Sequence, residues 1–301
     1  MELFLDCLPC LLRQSLEAAR LVTDDEDVQA RILEQSLTTL TGHASFSCAP
    51  ALAQDIHAII RHATGEADPY RDIKRRDMEA ARDLLPLVSG YVGTGEGALL
   101  RALKVAATGN LMDSALLIDL DITACIEQEL ERQFARCDLG PLADDLADAN
   151  TVLIIGDNAG EAVFDTVLAG LLARDHEVVF AVRDAPIIND VTAREATAVG
   201  MDAVARVVST GCRAPGTILD SCTDEFRALF ESADVVISKG QGNFEALAGC
   251  GRPVYFLLKA KCSKVARFLG VDLGDSVLAL MEPAADVAAR TLDLAEPAPL
   301  R

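Results

Sequence analysis

The stretch VLIIGDNAGEAVFD, residues 152–165, decides the fold. Its four leading apolar residues have the length and the bounding glycine of a buried strand, and the residues from Glu161 onward read as a helix. Between strand and helix lies a tight turn that carries Asp157, Asn158 and Glu161. An anion-binding turn at such a place carries glycines and a lysine. This one carries oxygen ligands.

The same texture continues downstream. After CDLGPLADDLADAN, short apolar runs alternate with helical segments: TVLIIG, EVVFAV, ARVVS, DVVIS, PVYFLL and SVLAL, each bounded by Gly, Asp, Asn or Pro. Continuous runs of this length are strands buried on both faces of a parallel sheet, joined by crossover helices. Residues 141–301 therefore read as a doubly wound, mostly parallel α/β core, with the terminal LAEPAPLR frayed. Residues 1–140 read as helical. LPCLLRQSLEAARLV and VQARILEQSLTTL repeat apolar residues at three- and four-residue spacing, and APALAQDIHAIIRHATG comes next. In DPYRDIKRRDMEAARDLLPLV, Pro86 ends the helical pattern, and GEGALLRALKVAATGN closes at Gly109.

Composition narrows the function. A formal charge of −20 over 301 residues argues against nucleic acid and anionic membrane surfaces as partners. No apolar stretch approaches the roughly 20 residues of a membrane span. MELFLDCLPCLL makes a poor signal peptide, since Glu2 and Asp6 stand where basic residues belong, so a cytoplasmic protein is expected. Nine cysteines, an odd number in largely apolar or helical contexts, fit reduced thiols better than a disulfide framework.

Ligands of open parallel sheets bind at the carboxyl ends of the strands. Each strand here runs out into polar residues: Gly156 to Glu161, then Arg183 and Asp184 with APIIND ending at Asp190, then KGQGNFE from Lys239, then Lys259 and Lys261. Asp157, Asn158 and Asp190 form an all-oxygen set suited to a hard divalent cation such as Mg²⁺ or Mn²⁺. Taken singly they read as helix caps: Asp157 and Asn158 for the helix near Glu161, Asp190 for one beginning at Val191. KGQGNFE lacks the last glycine of a dinucleotide fingerprint and the Gly-Lys-Ser/Thr of a phosphate-binding loop. Its glycine turn, with Lys239 adding positive charge, reads instead as a phosphate seat facing the carboxylates. A cation and a phosphate seat in one cleft suit phosphoryl transfer to water.

GDNAGEAVFD, PIINDVT and SKGQGNFE, with ATGNLMD and DPYRDIKRRDMEAA upstream, resemble the metal-dependent damage-control phosphatases. That family was long filed as a domain of unknown function, and some members were once described as acidic-residue methyltransferases. DCLPCLLRQ resembles its prokaryotic branch, which begins with Cys-x-x-Cys. The resemblance implies a three-layer α/β/α core under a helical N-terminal region. It also implies hydrolysis of phosphate monoesters of sugars or other small, damaged metabolites, with a divalent cation (Mg²⁺, Mn²⁺, Co²⁺ or Ni²⁺) as cofactor. The family's metal ligands fall on Asp157, Asn158 and Asp190, and its phosphate-side lysine on Lys239, with Gly242 and Asn243 beside it. GNLMD would bring Asn110 and Asp113 to the cleft as further substrate contacts.

Other residues admit plainer readings. Cys7 and Cys10 share a helix face and read first as a packed pair; Cys48 and His43 could complete a zinc set with them. His57, His62 and His176 read as structural or exposed, and RDIKRR as a solvated helix face from which Lys74 could reach the cleft. Two rival functions are a carboxyl methyltransferase dependent on S-adenosylmethionine and a non-enzymatic metal- or thiol-sensing protein. Against the first, GDNAGE puts charged and amide side chains where its cofactor would pass.

Overall fold

The computed structural model describes residues 1–109 and 122–283. Five helices come first: α1 (Cys7–Arg20), α2 (Glu26–Thr41), α3 (Ala49–Thr64), α4 (Arg71–Val92) and α5 (Ala98–Thr108). Their ends carry ordinary signals. Asp25 accepts from the Asp27 and Val28 amides to start α2, Pro50 occupies the first turn of α3, and Gly65 closes α3 in the left-handed region. Pro86 does not end α4, which runs on to Val92. Ala81 and Leu84 before the proline, and Val88 and Val92 after it, are all buried, and this packing outweighs the hydrogen bond that proline removes.

The remaining elements alternate: α6 (Ile122–Glu131), β1 (Arg136–Cys137), α7 (Leu139–Asp148), β2 (Thr151–Ile155), α8 (Ala159–Leu172), β3 (Glu177–Val182), α9 (Ala193–Ala198) and β4 (Arg206–Ser209). Next come α10 (Asp224–Ser232), β5 (Val235–Lys239), α11 (Gln241–Leu247), β6 (Val254–Lys259), α12 (Ser263–Leu269) and β7 (Ser276–Met281). All six apolar runs read from the sequence are strands. The seventh, β1, lies in the stretch expected to be helical; two residues are too few to show any period.

The sheet order is β1-β7-β6-β5-β2-β3-β4. Every pairing is parallel except β6 with β7. From β2 the chain steps outward to β3 and β4, then returns to lay β5 against the other side of β2. The order therefore reverses between β2 and β5, where a crevice opens at the strands' carboxyl ends.

Alternate strand residues feed two cores. Val152, Ile154, Phe180 and Ile237 join the core beneath α4, α5 and α8, while Leu153, Ile155, Val179 and Val236 join the one containing Phe226, Phe230, Phe244 and Phe268. Helices α1 to α3 make smaller clusters of their own, including Leu11, Leu52 and Ile56, and α3 lies against α11. Among the described residues, no helix is long and apolar enough to cross a membrane.

Phe244 anchors the turn after β5: it is fully buried and meets the rings of Phe256 and Phe268 edge-on at 5.0 and 5.6 Å. Phe244→Ala is expected to lower the unfolding free energy by about 3–5 kcal/mol. Urea denaturation followed by circular dichroism checks this, and a loss below about 1 kcal/mol would contradict it.

Candidate active site

Two turns are stitched together at the switch point. The Val191 amide donates to the Asp157 carbonyl and the Ala159 amide to the Asn189 carbonyl, both at 2.8 Å, and Asn158 and Asp190 form a β-bridge. The stitching sets Asp157, Asn158 and Asp190 side by side along one cleft. Ile188, in the same loop, holds φ at +43°, a strained conformation for a β-branched residue that neighbouring contacts must enforce.

The capping alternative does not describe these residues. Asn158 stands at the N-cap of α8 yet makes no side-chain cap bond, and α9 is capped by Thr192 in a capping box with Glu195. Instead, the Asn158 amide nitrogen donates to Glu161 Oε1 at 3.1 Å, which turns its oxygen the other way.

Beneath the turns lies a buried ionic network. Arg183 donates to Asp190 Oδ2 (2.7 Å), Thr217 Oγ1 (2.9 Å) and Asn243 Oδ1 (2.9 Å), and lies 3.9 Å from Asp157 Oδ1. Lys239 Nζ donates to Glu161 Oε2 and Asp165 Oδ1, each at 2.8 Å. Four buried carboxylates, Asp157, Glu161, Asp165 and Asp190, thus share two buried cations. Burial, and then the neighbouring Asp190, push the Asp157 carboxyl up to about 7. Burial likewise raises Glu161, and lifts Asp165 to about 6. Burial opposes the charge on Lys239, but Asp165 and Glu161 together hold its ammonium above the usual range.

Lys239 is therefore not where the sequence reading put it. Its ammonium lies under the site and does not line the cleft; the lysines that do are Lys261 and Lys264. Asn243 is also turned inward. Its amide nitrogen donates to the carbonyls of Gly156 (3.0 Å) and Lys239 (2.7 Å), joining the ends of β2 and β5, while its oxygen accepts from Arg183 and Thr217. Gly242 does line the cleft, and a Cβ there would stand 2.0 Å from the Pro215 carbonyl. Gly240, at φ +77°, lies so close beneath Asp157 that a Cβ would come within 1.9 Å of its Oδ2. Asn110 and Asp113 lie outside the described residues.

Lys74, read as part of a solvated face, is buried between Asp68 (2.7 Å) and Glu195 (3.2 Å), tying α4 to α9. Among the described residues, no three His, Cys, Asp or Glu side chains gather closely enough to hold a metal, so the zinc set with Cys48 and His43 is not assembled. Cys10 is exposed, not packed; with Cys7 and Cys262 it lines the same cleft as Asp157. The cavity measures about 370 Å³. Asp165 and Thr217 carried no role in the sequence reading, and Glu161 and Arg183 entered it only as polar residues at strand ends. The spacing of Glu161 and Asp165, two acids one turn apart in an otherwise apolar helix, is the signal that could have found them.

The donor set fits a divalent cation. Two adjoining carboxylates, desolvated and repelling each other, gain most from a cation. Arg183 on Asp190 and Glu161 on Asn158 already orient their partners, as hydrogen bonds from behind orient the ligands of a metal. A proton competes for Asp157, whose carboxyl titrates near 7. Affinity for Mn²⁺, measured by calorimetry, is expected to fall about tenfold per pH unit below that value and to level off above it. A flat profile from pH 5 to 8 would contradict this. Lys239→Ala leaves two buried acids without their cation and is expected to destabilise the fold by about 3–5 kcal/mol, read as a lowered denaturation midpoint.

The damage-control phosphatase ARMT1-like domain model matches residues 3–277. A protein of Methanocaldococcus jannaschii described as uncharacterized is 35% identical over 91% of this chain and 93% of its own length. A damage-control phosphatase of Archaeoglobus fulgidus is 34% identical over 92% and 98% of the two chains. The crystal structure of a DUF89 family protein from Pyrococcus horikoshii superposes with a TM-score of 0.86 at 30% identity, covering 94% of this chain and all of that one. By the matching model and by these relatives over nearly their whole lengths, the chain belongs to the damage-control phosphatase ARMT1-like family.

Proposed function

We propose that the chain is a divalent-cation-dependent phosphomonoesterase that hydrolyses a small phosphorylated metabolite. One observation carries the reading: an excess of buried carboxylates at the switch point opens directly into a cleft edged by lysines. Asp157, Asn158 and Asp190 are the residues that would hold the cation, Mg²⁺, Mn²⁺, Co²⁺ or Ni²⁺. When bound, it supplies Lewis-acid polarisation of a phosphoryl oxygen.

The chain's own groups do the rest. Arg183 orients Asp190, and Lys239 holds Glu161 against Asn158. Lys261 and Lys264, on the cleft wall, meet the substrate's phosphate charge. Lys264 is itself steadied by Asp6 at 3.4 Å. The cleft is also lined by Leu11, Pro50 and Ala53 from α1 and α3, which are small and apolar, and among the described residues no aromatic ring lines it for stacking a base. A cavity of about 370 Å³ suits a substrate of sugar-phosphate size rather than a polymer. Nine cysteines, each a free thiol, favour a reducing compartment, the cytoplasm.

Phosphate release from a panel of sugar and other small phosphate esters, with each of the four cations, tests the reading. Asp157→Asn is expected to reduce turnover at least about 1000-fold, beyond the roughly 100- to 1000-fold of a lost oxyanion donor. Its denaturation midpoint should be no lower than that of the parent, because the change removes a buried, repelled carboxylate. Lys261→Ala should lower kcat/KM by the equivalent of about 3 kcal/mol, on the same scale. Undiminished hydrolysis by Asp157→Asn, or by the parent in excess chelator, would refute the proposal.

A further inference from the structure

The cleft that Asp157 lines is walled partly by sulfur. Cys7 and Cys10 come from the first turns of α1 and Cys262 from the start of α12, and all three line the cavity with Asp157, Asn158 and Asp190. The proposed hydrolysis uses none of them. Nor do they pack as core thiols do: Cys10 is exposed, and Cys7 and Cys262 are half-buried. By contrast Cys48, Cys212 and Cys222 are buried. Reactive cysteines sit in partly exposed surroundings; here Cys10 opens onto a cavity lined by both signs of charge, Lys261 and Lys264 with Asp6 and Glu245. The other exposed cysteine among those described, Cys137, lies on β1 at the far edge of the sheet and away from the cavity.

We propose that Cys10 is a thiol-modification site at which a low-molecular-weight disulfide forms an adduct that fills the cleft and shuts out substrate. The Cys10 thiolate attacks one sulfur of the small disulfide. A bond forms between Cys10 and that sulfur, the original sulfur–sulfur bond breaks, and the second half leaves as a thiolate that takes up the proton Cys10 released. Cys10 is oxidised and the small disulfide is reduced, so no further oxidant is required. The geometry also favours persistence of the adduct. Its internal competitor, the Cys7 thiol, is pushed up to about 11, chiefly by burial and further by Glu245, Cys262 and Cys10, and so stays protonated at neutral pH. A protonated thiol does not attack the mixed disulfide. Removal then depends on an external thiol, which makes the block reversible by the reducing state of the surroundings.

The inhibitory consequence rests on the phosphatase reading, whereas the modification does not, and the experiment separates the two. The intact chain is incubated with glutathione disulfide, and the modified positions are mapped by peptide mass. An adduct on Cys10 is expected, whether or not Cys137 also reacts. Alkylation of Cys262 by iodoacetamide should slow at least about fivefold in the adduct, because the same cavity is filled; this reads occlusion without any substrate. Phosphate release should drop at least about tenfold and return with dithiothreitol. Cys137→Ser should keep the full effect, while Cys10→Ser, and Cys10→Ala as its check, should lose it, each variant judged by its own ratio of treated to untreated activity.

An unmodified Cys10 would overturn the proposal. So would a Cys7–Cys10 disulfide in place of the adduct, or an adduct that leaves both Cys262 alkylation and phosphate release unchanged. An untreated chain inert toward every ester would overturn the phosphatase reading alone, since the mapping and the alkylation report on the site without it.

Discussion

Lys239 ends β5 with its ammonium sealed between Glu161 and Asp165, and much of the site depends on that contact. In so buried a setting an ammonium or a carboxylate without its partner is severely penalised, so neither side of the pair can swing outward alone. The contact pins α8 to β5 across the switch point. Because Glu161 also accepts from Asn158, it fixes the orientation of a side chain in the turn above. A lysine that looks from the sequence like a ligand for phosphate is thus spent inside the scaffold. Its contact with the cleft runs through Glu161 and Asn158.

Arg183 plays the matching part on the other flank. It meets Asp190, Thr217 and Asn243 at once, while Asn243 reaches the carbonyls that end β2 and β5. Backbone carbonyls at the ends of adjacent parallel strands lack further ladder partners, so a buried amide that takes two of them closes the crevice floor. The floor is rigid for a reason that bears on function. Two carboxylates that repel each other would move apart in a soft site, and here the surrounding bonds hold Asp157 and Asp190 together. Burial, and then the repulsion by Asp190, show in the raised Asp157 carboxyl.

The fold was legible because its signal is local. Six apolar runs of strand length, each leading into a polar turn, are enough to announce a doubly wound sheet, and six strands stand where they were read. Two residues at Arg136 and Cys137 announce nothing, and the continuation of α4 through Pro86 depends on burial that the sequence does not display. The site was legible to the extent that strand ends share an edge, which brought Asp157, Asn158, Asp190 and Gly242 to one cleft. Side-chain direction is another matter. Whether Lys239 and Asn243 point up into the cleft or down into the sheet depends on partners far away in sequence, Glu161 and Asp165 for one, Arg183 and Thr217 for the other. Position along the strand does not reveal that choice.

The cations divide by depth, which resolves an apparent conflict in the composition. A chain with a formal charge of −20 should repel a phosphorylated substrate at long range. Screening confines that repulsion to about 8–10 Å at physiological ionic strength, so inside the cleft only the nearest charges count. The buried cations, Lys239 and Arg183, are already engaged by acids, and they set where the carboxylates stand. Lys261 and Lys264 line the cleft wall instead, Lys264 beside Asp6. Under the proposed function, charge on the deep carboxylates would attract a metal ion, and charge at the wall would attract the ester. Because the two sit at different depths of one cavity, an acidic protein can present a local surface suited to an anion. Under the two proposals, whatever occupies that wall, substrate or an adduct on Cys10, would decide whether the deep site can be used.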